Sequence, residues 1–473
     1  MAGARWAMPL DAFFLMSESE QTQMHVAALM PFHLPADAPA RFVSDLVAEA
    51  RRAPVERPWS LRLQTHRAMR QPVHRWIKDS DFDINYHVRH SALPSPAGER
   101  ELGVLISRLH SNPLDFSRPP WELHVIEGLS ERRYAVYVKI HHALVDGFTG
   151  MRMMARSLSS DPQDRQTPLF FSVPPPRRPD DAGPRPSILA QFTKAAVGMP
   201  GALAAAAGTV VRSRGSGALV GPYQAPDSLL NQRIGRNRRF ATQLWDLERL
   251  RLISKASGGT LNDVLLAACA GGLRTFLSEL DGLPDDPLVA FLPVNVRTPG
   301  GNGPSGNVVG AIYAGLGTHL SDPRERMAAI IESTTAAKAE LSGLGPEAAM
   351  TYSAALLSPG ALQIGAAMSG LPNPLSASFN VCISNVPGPA EPLYWRGARL
   401  QASYPVSIPV HSMALNITAH SYAGTLAVGF VGDREALPSL QRLAVHTGEA
   451  LSELEQAYGT AAQKAAPPDL SQI

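Results

Sequence analysis

"KIHHALVDGFTG", residues 139–150, sets two adjacent histidines at the end of an alternating apolar run, with an Asp-Gly bend four residues after the second histidine. The run before it alternates as a strand should. Tyr134, Val136, Val138 and Ile140 share one face, and Ala135, Tyr137 and Lys139 share the other. Continuing the alternation puts His142 with the Val/Ile face and His141 on the opposite face. Beyond the bend, Met151, Met154, Ala155 and Leu158 recur at helical spacing. The histidines are thus expected at a strand–loop–helix junction. Neighbouring strand side chains diverge, which disfavours shared chelation of one metal. A histidine at a strand end, facing a cleft, is placed to act as a general base near neutral pH. Asp146 either orients the imidazole or braces the loop. The chain has no G-x-S-x-G, and neither Cys269 nor Cys382 lies in a nucleophile motif. A base without an enzyme nucleophile implies direct attack by a substrate hydroxyl or amine.

Composition bounds the rest. The 473 residues exceed one typical core, so two domains are the default. A net charge of +2 leaves no basic footprint, which argues against nucleic acid as a partner. Two distant cysteines outside any C-x-x-C suggest neither a disulfide scaffold nor a zinc ribbon, and fit a reducing cytoplasm. The opening MAGARWAMPLDAFFLM lacks the long apolar core of a signal peptide. Residues Ala195–Val211 are uncharged but short, Ala/Gly-rich and interrupted by Pro200, so a surface or inter-domain helix is expected there rather than a membrane span.

Along the chain, "RELGVLISRLH" places Leu102, Leu105, Ile106 and Leu109 at helical spacing, and "WELHVIEGL" and "YAVYVKI" read as strands joined by a turn near Ser130–Arg133. Residues 160–187, rich in Pro and charge and without periodicity, have linker composition. The second half restarts with a strand at Arg239–Trp245 and a helix carrying Leu247, Leu250 and Ile253 on one face. A further helix opens at Thr260 and Asp263, which are in capping-box spacing, and "PLVAFLPVNVR" reads as a strand. Residues 348–390 and 400–432 contain no Asp, Glu, Lys or Arg. Runs so free of charge are expected to line an apolar core or a pocket for a greasy substrate.

Beyond these local readings, "HHALVDG" resembles the HHxxxDG motif of the CoA-dependent acyltransferase superfamily. The blocks "PLDAFFL", "MHVAALMPF", "PLDFSRPPWELHVIEGL", "LNDVLLAACAGGLR", "PVNVR", "GNVVG" and "ISNVPGP" follow in the order seen in bacterial wax ester synthase/diacylglycerol acyltransferases. The resemblance covers nearly the whole chain. It implies an α/β fold of two similar chloramphenicol acetyltransferase-like halves, each a mixed β-sheet flanked by helices, with an active-site tunnel between them. The corresponding division is residues 1–175 for the half bearing HHxxxDG, 176–235 for a linker and crossing helix, and 236–473 for the half with the apolar pocket.

The resemblance implies that His142 is the catalytic base, with His141 a packing or hydrogen-bonding neighbour. It further implies that Asp146 pairs with Arg297 from the second half, as a buried brace for the loop. Gly147 reads as a bend where a side chain would obstruct the tunnel. Asn385, in "SNVPGP", reads either as a turn residue or as a polar group near the reacting carbonyl, and Asn262 chiefly as a first-turn helix residue. Ala355 and Gly365 are small residues that could leave room for a chain. The implied activity moves a long-chain acyl group from acyl-CoA, a substrate and not a cofactor, to a fatty alcohol or diacylglycerol. No cofactor or metal is expected. The expected site of action is cytoplasmic, at a membrane or lipid-droplet surface contacted peripherally. Two other readings compete. His141 and Asp146 have HX4D spacing, as in glycerol-phosphate acyltransferases, but an EGTR-like block is missing. A non-catalytic lipid-binding protein would not need an intact His142–Asp146–Gly147.

Overall fold

The computed structural model describes residues 5–6, 14–64, 75–145, 147–173, 207–295, 309–342, 346–368 and 376–460. Two mixed sheets organise it. The first has seven strands. Its path runs β12 (Tyr394–Trp395), β13 (Ala398–Leu400), β2 (His25–His33), β7 (Arg133–His141), β6 (Trp121–Leu129) and β5 (Val88–Ala92), and β14 (Tyr404–Val406) also pairs with β2. The second has six, in the order β10 (Val309–Gly315), β9 (Val289–Asn295), β11 (Val381–Val386), β15 (Leu415–Tyr422), β16 (Thr425–Asp433) and β8 (Arg238–Asp246). A small third sheet joins β1 (Arg5–Trp6), β4 (Arg75–Lys78) and β3 (Leu61–Leu63).

The alternation read from residues 134–140 decides how β7 sits. Tyr134, Val136, Val138 and Ile140 join the first half's own core, around Trp59, Trp76 and Trp121. Ala135 and Tyr137, on the other face, pack with Phe240, Val406 and Val431 of the second half. One face of the strand therefore builds its own half and the other builds the contact between halves.

The halves are not separable at a single point in the sequence. Strands β12 to β14, late in the chain, pair with β2 near its start, as in Leu400↔Phe32 and Tyr404↔Leu29. In the other direction, helix Glu99–Ser111 of the first half packs on β8, the edge strand of the second sheet. Its Ser107 and Ser111 hydroxyls, one turn apart, accept the β8 N–H groups of Phe240 at 3.0 Å and Arg238 at 2.8 Å. Such bonds cover part of an otherwise open strand edge.

Several expected elements are present. The helix Leu261–Glu279 starts with a capping box in which Thr260 and Asp263 bond each other's backbone N–H groups. Asp263 also accepts from Thr334 at 2.8 Å, tying this helix to Pro323–Ser342. Gly271 and Gly272 let the helix approach Leu440–Ala457 closely, since a Cβ at either would collide with Ala450 or Thr447. The stretch 160–187 departs from its linker composition over its described part. Leu169, Phe170 and Phe171 are buried in the first half's core, and Val173 is buried beside them in sequence. The Phe170 ring lies 4.8 Å from Trp59, and Phe171 stacks on Trp121 at 5.3 Å. These apolar residues sit among prolines and charges that dominate the composition of the stretch. Of Ala195–Val211, residues 195–206 lie outside the described part, and residues 207–213 are helical. Among the described residues, no helix is long and apolar enough to cross a membrane.

Candidate active site

Strand β7 ends at His141, and His142 is the first residue of the following turn. The ladder to β2 extends one step further, because the His142 N–H donates to the Met24 carbonyl at 2.9 Å. The two imidazoles then meet different surroundings. His141 is fully buried. Its Nδ1 accepts the Ala143 N–H at 3.1 Å, so the ring proton resides on Nε2. That nitrogen faces Glu18 Oε2 at 3.4 Å, an ion-pair distance without hydrogen-bond alignment. Phe116 meets the ring edge-on at 4.9 Å. His142 is half-buried, and the Phe14 ring stacks on it with centroids 4.0 Å apart and planes inclined by 23°.

Both partners come from one strap, residues 14–24, leading into β2. Glu18 also accepts the Met24 N–H at 2.5 Å. Gln23 donates to the Ser111 carbonyl at 2.9 Å, Glu20 meets Arg236 of the second half at 3.0 Å, and Arg238 donates to the Gln21 carbonyl. The strap is therefore fastened to both halves. Phe14 further borders an apolar cluster drawn from both, with Met24 and Val26 on one side and Cys382, Ile408, Val410 and Met413 on the other.

Behind the histidine pair, on the inter-half face of the sheet, lies a buried polar layer. Lys139 is fully buried; it donates to the Leu109 and Asn112 carbonyls at 3.0 Å each and pairs with Glu122 at 3.2 Å. Burial alone would raise the Glu122 carboxyl, but the His124 hydrogen bond and the charges of Lys139 and Arg89 hold it at about 2. Burial lowers His110 to about 3, against the opposing bond to the Ser407 carbonyl of the second half. Burial likewise holds His25 well below its ordinary value, with His110 and Lys139 adding to the effect. Burial pushes the thiols of Cys269 and Cys382 up to about 12, which makes both poor nucleophiles.

A cavity of about 90 Å³ lies farther along the seam between the halves. Met30, Met154, Ala155 and Leu158 wall it from the first half, and Val386–Pro389, Leu400 and His420 from the second. Burial lowers His420 to about 4, against the opposing Ser403 carbonyl. Gly388 is required under this ring, because a Cβ there would collide with it and with the Ser421 carbonyl. Met30, on the cavity wall, is six residues beyond Met24, a span of about 20 Å at roughly 3.3 Å per strand residue.

The other expected site residues divide as follows. Gly147 begins the helix Gly147–Ala155. Asp146 and Arg297 lie outside the described residues. Asn385 is half-buried in β11, opposite Ala419. By alternation it shares a face with Val381 and Ile383, which join the second half's core, whereas Cys382 and Val386 share the face turned to the first half. Asn262 is half-buried in the first turn of its helix. Ala355 packs against the second half's core, and Gly365 is exposed, with no described heavy atom within 4 Å of where a Cβ would stand. Neither lines the cavity just described. Sequence reasoning gave no role to Phe14, Glu18, Met30 or His420. The strap residues sit in a stretch without periodicity, and their places are set by pairing partners more than 100 residues away. Among the described residues, no group of three His, Cys, Asp or Glu side chains could hold a metal ion.

Comparison with known proteins bears on this arrangement over nearly its full length. The wax ester synthase/diacylglycerol acyltransferase catalytic domain matches residues 8–265, and the WS/DGAT C-terminal domain matches residues 305–455. A putative diacylglycerol O-acyltransferase of Mycobacterium tuberculosis is 48% identical, over 97% of this chain and 98% of its own. The O-acyltransferase WSD of Acinetobacter baylyi is 38% identical, over 94% of this chain and 96% of its own. The solved wax ester synthase/diacylglycerol acyltransferase of Marinobacter aquaeolei VT8 superimposes with a TM-score of 0.76 at 37% identity, covering 97% of this chain and 100% of that one. A condensation domain of the CDA synthetase, 16% identical, shares the two-half fold with a TM-score of 0.57, covering 96% of each chain. A chain matched by both domains of one family, and by its relatives from end to end, belongs to the wax ester synthase/diacylglycerol acyltransferase family and is an acyltransferase.

Proposed function

We propose that the protein transfers a long-chain acyl group from acyl-CoA to a fatty alcohol or diacylglycerol, with His142 as the base. The observation that carries this reading is the different setting of the two histidines. His141 is sealed and committed to Ala143 and Glu18, whereas His142 is half-buried beside an apolar cluster built by both halves. The acceptor's hydroxyl proton passes to the His142 imidazole as its oxygen bonds to the thioester carbonyl carbon. The tetrahedral intermediate collapses, the C–S bond breaks, and the CoA thiolate takes the proton back from the imidazolium. The chemistry calls for no acyl-enzyme, cofactor or metal. Asp146 pairs with Arg297 and braces the turn that aims His142.

The cavity near His420 receives the far end of a chain. Each buried CH₂ contributes about 0.8 kcal/mol, and a wall without formal charges preserves that gain. The span of about 20 Å from Met24, which bonds the His142 N–H, to Met30 on the cavity wall suits a long chain. The substrates partition into lipid, so the protein works at a membrane or lipid-droplet surface without spanning it. The test is incubation of the purified protein with palmitoyl-CoA and either hexadecanol or a diacylglycerol, with the products separated by thin-layer chromatography. New wax ester or triacylglycerol supports the reading. Binding of both substrates without either product would contradict it.

A further inference from the structure

The strap over the histidine pair brings a different side chain to each imidazole, Glu18 to His141 and Phe14 to His142. We propose that Phe14 is a positioning residue for the transfer reaction: its ring fixes the plane of the His142 imidazole and stabilises the imidazolium that forms when His142 takes the acceptor's proton. The proposal rests on His142 being the base.

The geometry is that of a face-on contact, with centroids 4.0 Å apart and an inclination of 23°. An aromatic face carries the negative lobe of the ring quadrupole and attracts a cation within about 6 Å of its centroid. A neutral imidazole gains only packing from this contact, and an imidazolium gains the electrostatic term as well. The contact therefore strengthens as the proton arrives, which is the differential stabilisation that speeds a chemical step. Phe14 is itself held from both sides, against the first half's core and against the inter-half apolar cluster.

Among the described residues, charged and titratable groups lie near this contact on several elements. On β7, His141 is engaged with Glu18 of the strap, and Lys139 with Glu122. On β2, burial keeps His25 neutral. From the second half, Arg238 faces Glu18 and Asp433. Asp146 and Arg297 lie outside the described residues. A substitution at Phe14 that preserves its volume leaves all of these groups in place.

The test replaces Phe14 by Leu, by Trp, and by a series of ring-fluorinated phenylalanines that weaken the face while keeping its shape. For each, kcat and the pH profile of kcat/KM are measured alongside the melting temperature. The base must be neutral to act, so activity rises with pH through its pKa. Losing the face disfavours the imidazolium, lowers that pKa and moves the acidic limb to lower pH. For Phe14→Leu the expected shift is about 0.4–1.5 pH units, with kcat down about 2- to 30-fold. Fluorination should produce the same trend in graded steps at an unchanged melting temperature, and Phe14→Trp should hold the limb at or above its original position. A limb that stays fixed across the fluorinated series overturns the proposal and leaves Phe14 a packing residue, even with His142→Ala inactive. Full activity in His142→Ala would instead remove the base reading, and this proposal with it.

Discussion

Glu18 Oε2 lies 3.4 Å from His141 Nε2 and also accepts the N–H of Met24, whose carbonyl receives the N–H of His142. One carboxylate thus lies against the first histidine and holds the backbone that carries the second. His141 is a structural neighbour in this arrangement, and its effect on the reaction passes through the position of His142.

Removing that carboxylate should therefore cost stability first and rate second. In Glu18→Ala the Met24 N–H loses its acceptor, and unfolding free energy should fall by about 1–3 kcal/mol. Activity should persist at a reduced level, since the base remains. Chemical denaturation and steady-state assays on the same preparation check both. Unchanged stability with complete loss of activity would mean that Glu18 belongs to the chemistry instead.

The buried pair Lys139–Glu122 carries a second prediction. Lys139→Met leaves the Glu122 carboxylate buried with one partner fewer, which should cost about 3–5 kcal/mol. Adding Glu122→Gln should recover part of that loss. A double variant that loses as much stability as the two single variants together, or more, would show that the charges do not act as a pair.

Stability should also fall as the solution is acidified below the ordinary histidine range. Burial holds His110 at about 3 and His420 at about 4 in the folded protein. The unfolded chain takes up these protons near pH 6.5, so below that value it binds more protons than the folded state does. Stability is then lost from pH 6.5 downward, by about 1.4 kcal/mol per pH unit for each histidine, until the folded pKa is reached. Glu122, held at about 2, adds its own loss only below the ordinary carboxylate range. Denaturant midpoints measured at pH 7 and pH 5 check the histidine part, and equal midpoints would contradict it.

Chain-length preference should respond at the cavity and not at Gly365. Ala155→Phe fills a wall of the cavity and should shift preference toward shorter acyl or alcohol chains, with the melting temperature little changed. A Cβ at Gly365 meets no described atom within 4 Å and lies away from the cavity, so Gly365→Leu should leave the preference alone. An equal loss for every chain length in Ala155→Phe would make the cavity a packing feature.

The alternation of Tyr134 to Ile140 was enough to orient β7, because a strand with two different faces admits only one register. The Thr260–Asp263 cap was likewise legible, since capping is local. The burial of Phe170 and Phe171 was not, because it depends on Trp59 and Trp121, residues distant in sequence. The same limit hid the site's framing. Phe14 and Glu18 gain their roles only when β2 pairs with β7, and Met30 and His420 come to line one cavity only once the second half folds back on the first. The small residues Ala355 and Gly365 suggested a pocket by size alone, and size does not say which side of a helix is covered.

The central claim is that His142, and not His141, takes the proton. The direct measurement compares single-turnover acyl transfer by His142→Ala and His141→Ala, each checked for an intact thermal transition. His142→Ala should remain folded and lose about 10²–10⁴-fold in rate. His141→Ala should be less stable, yet transfer much faster than His142→Ala wherever it is folded. A fully folded His141→Ala with no transfer, beside an active His142→Ala, would contradict the assignment.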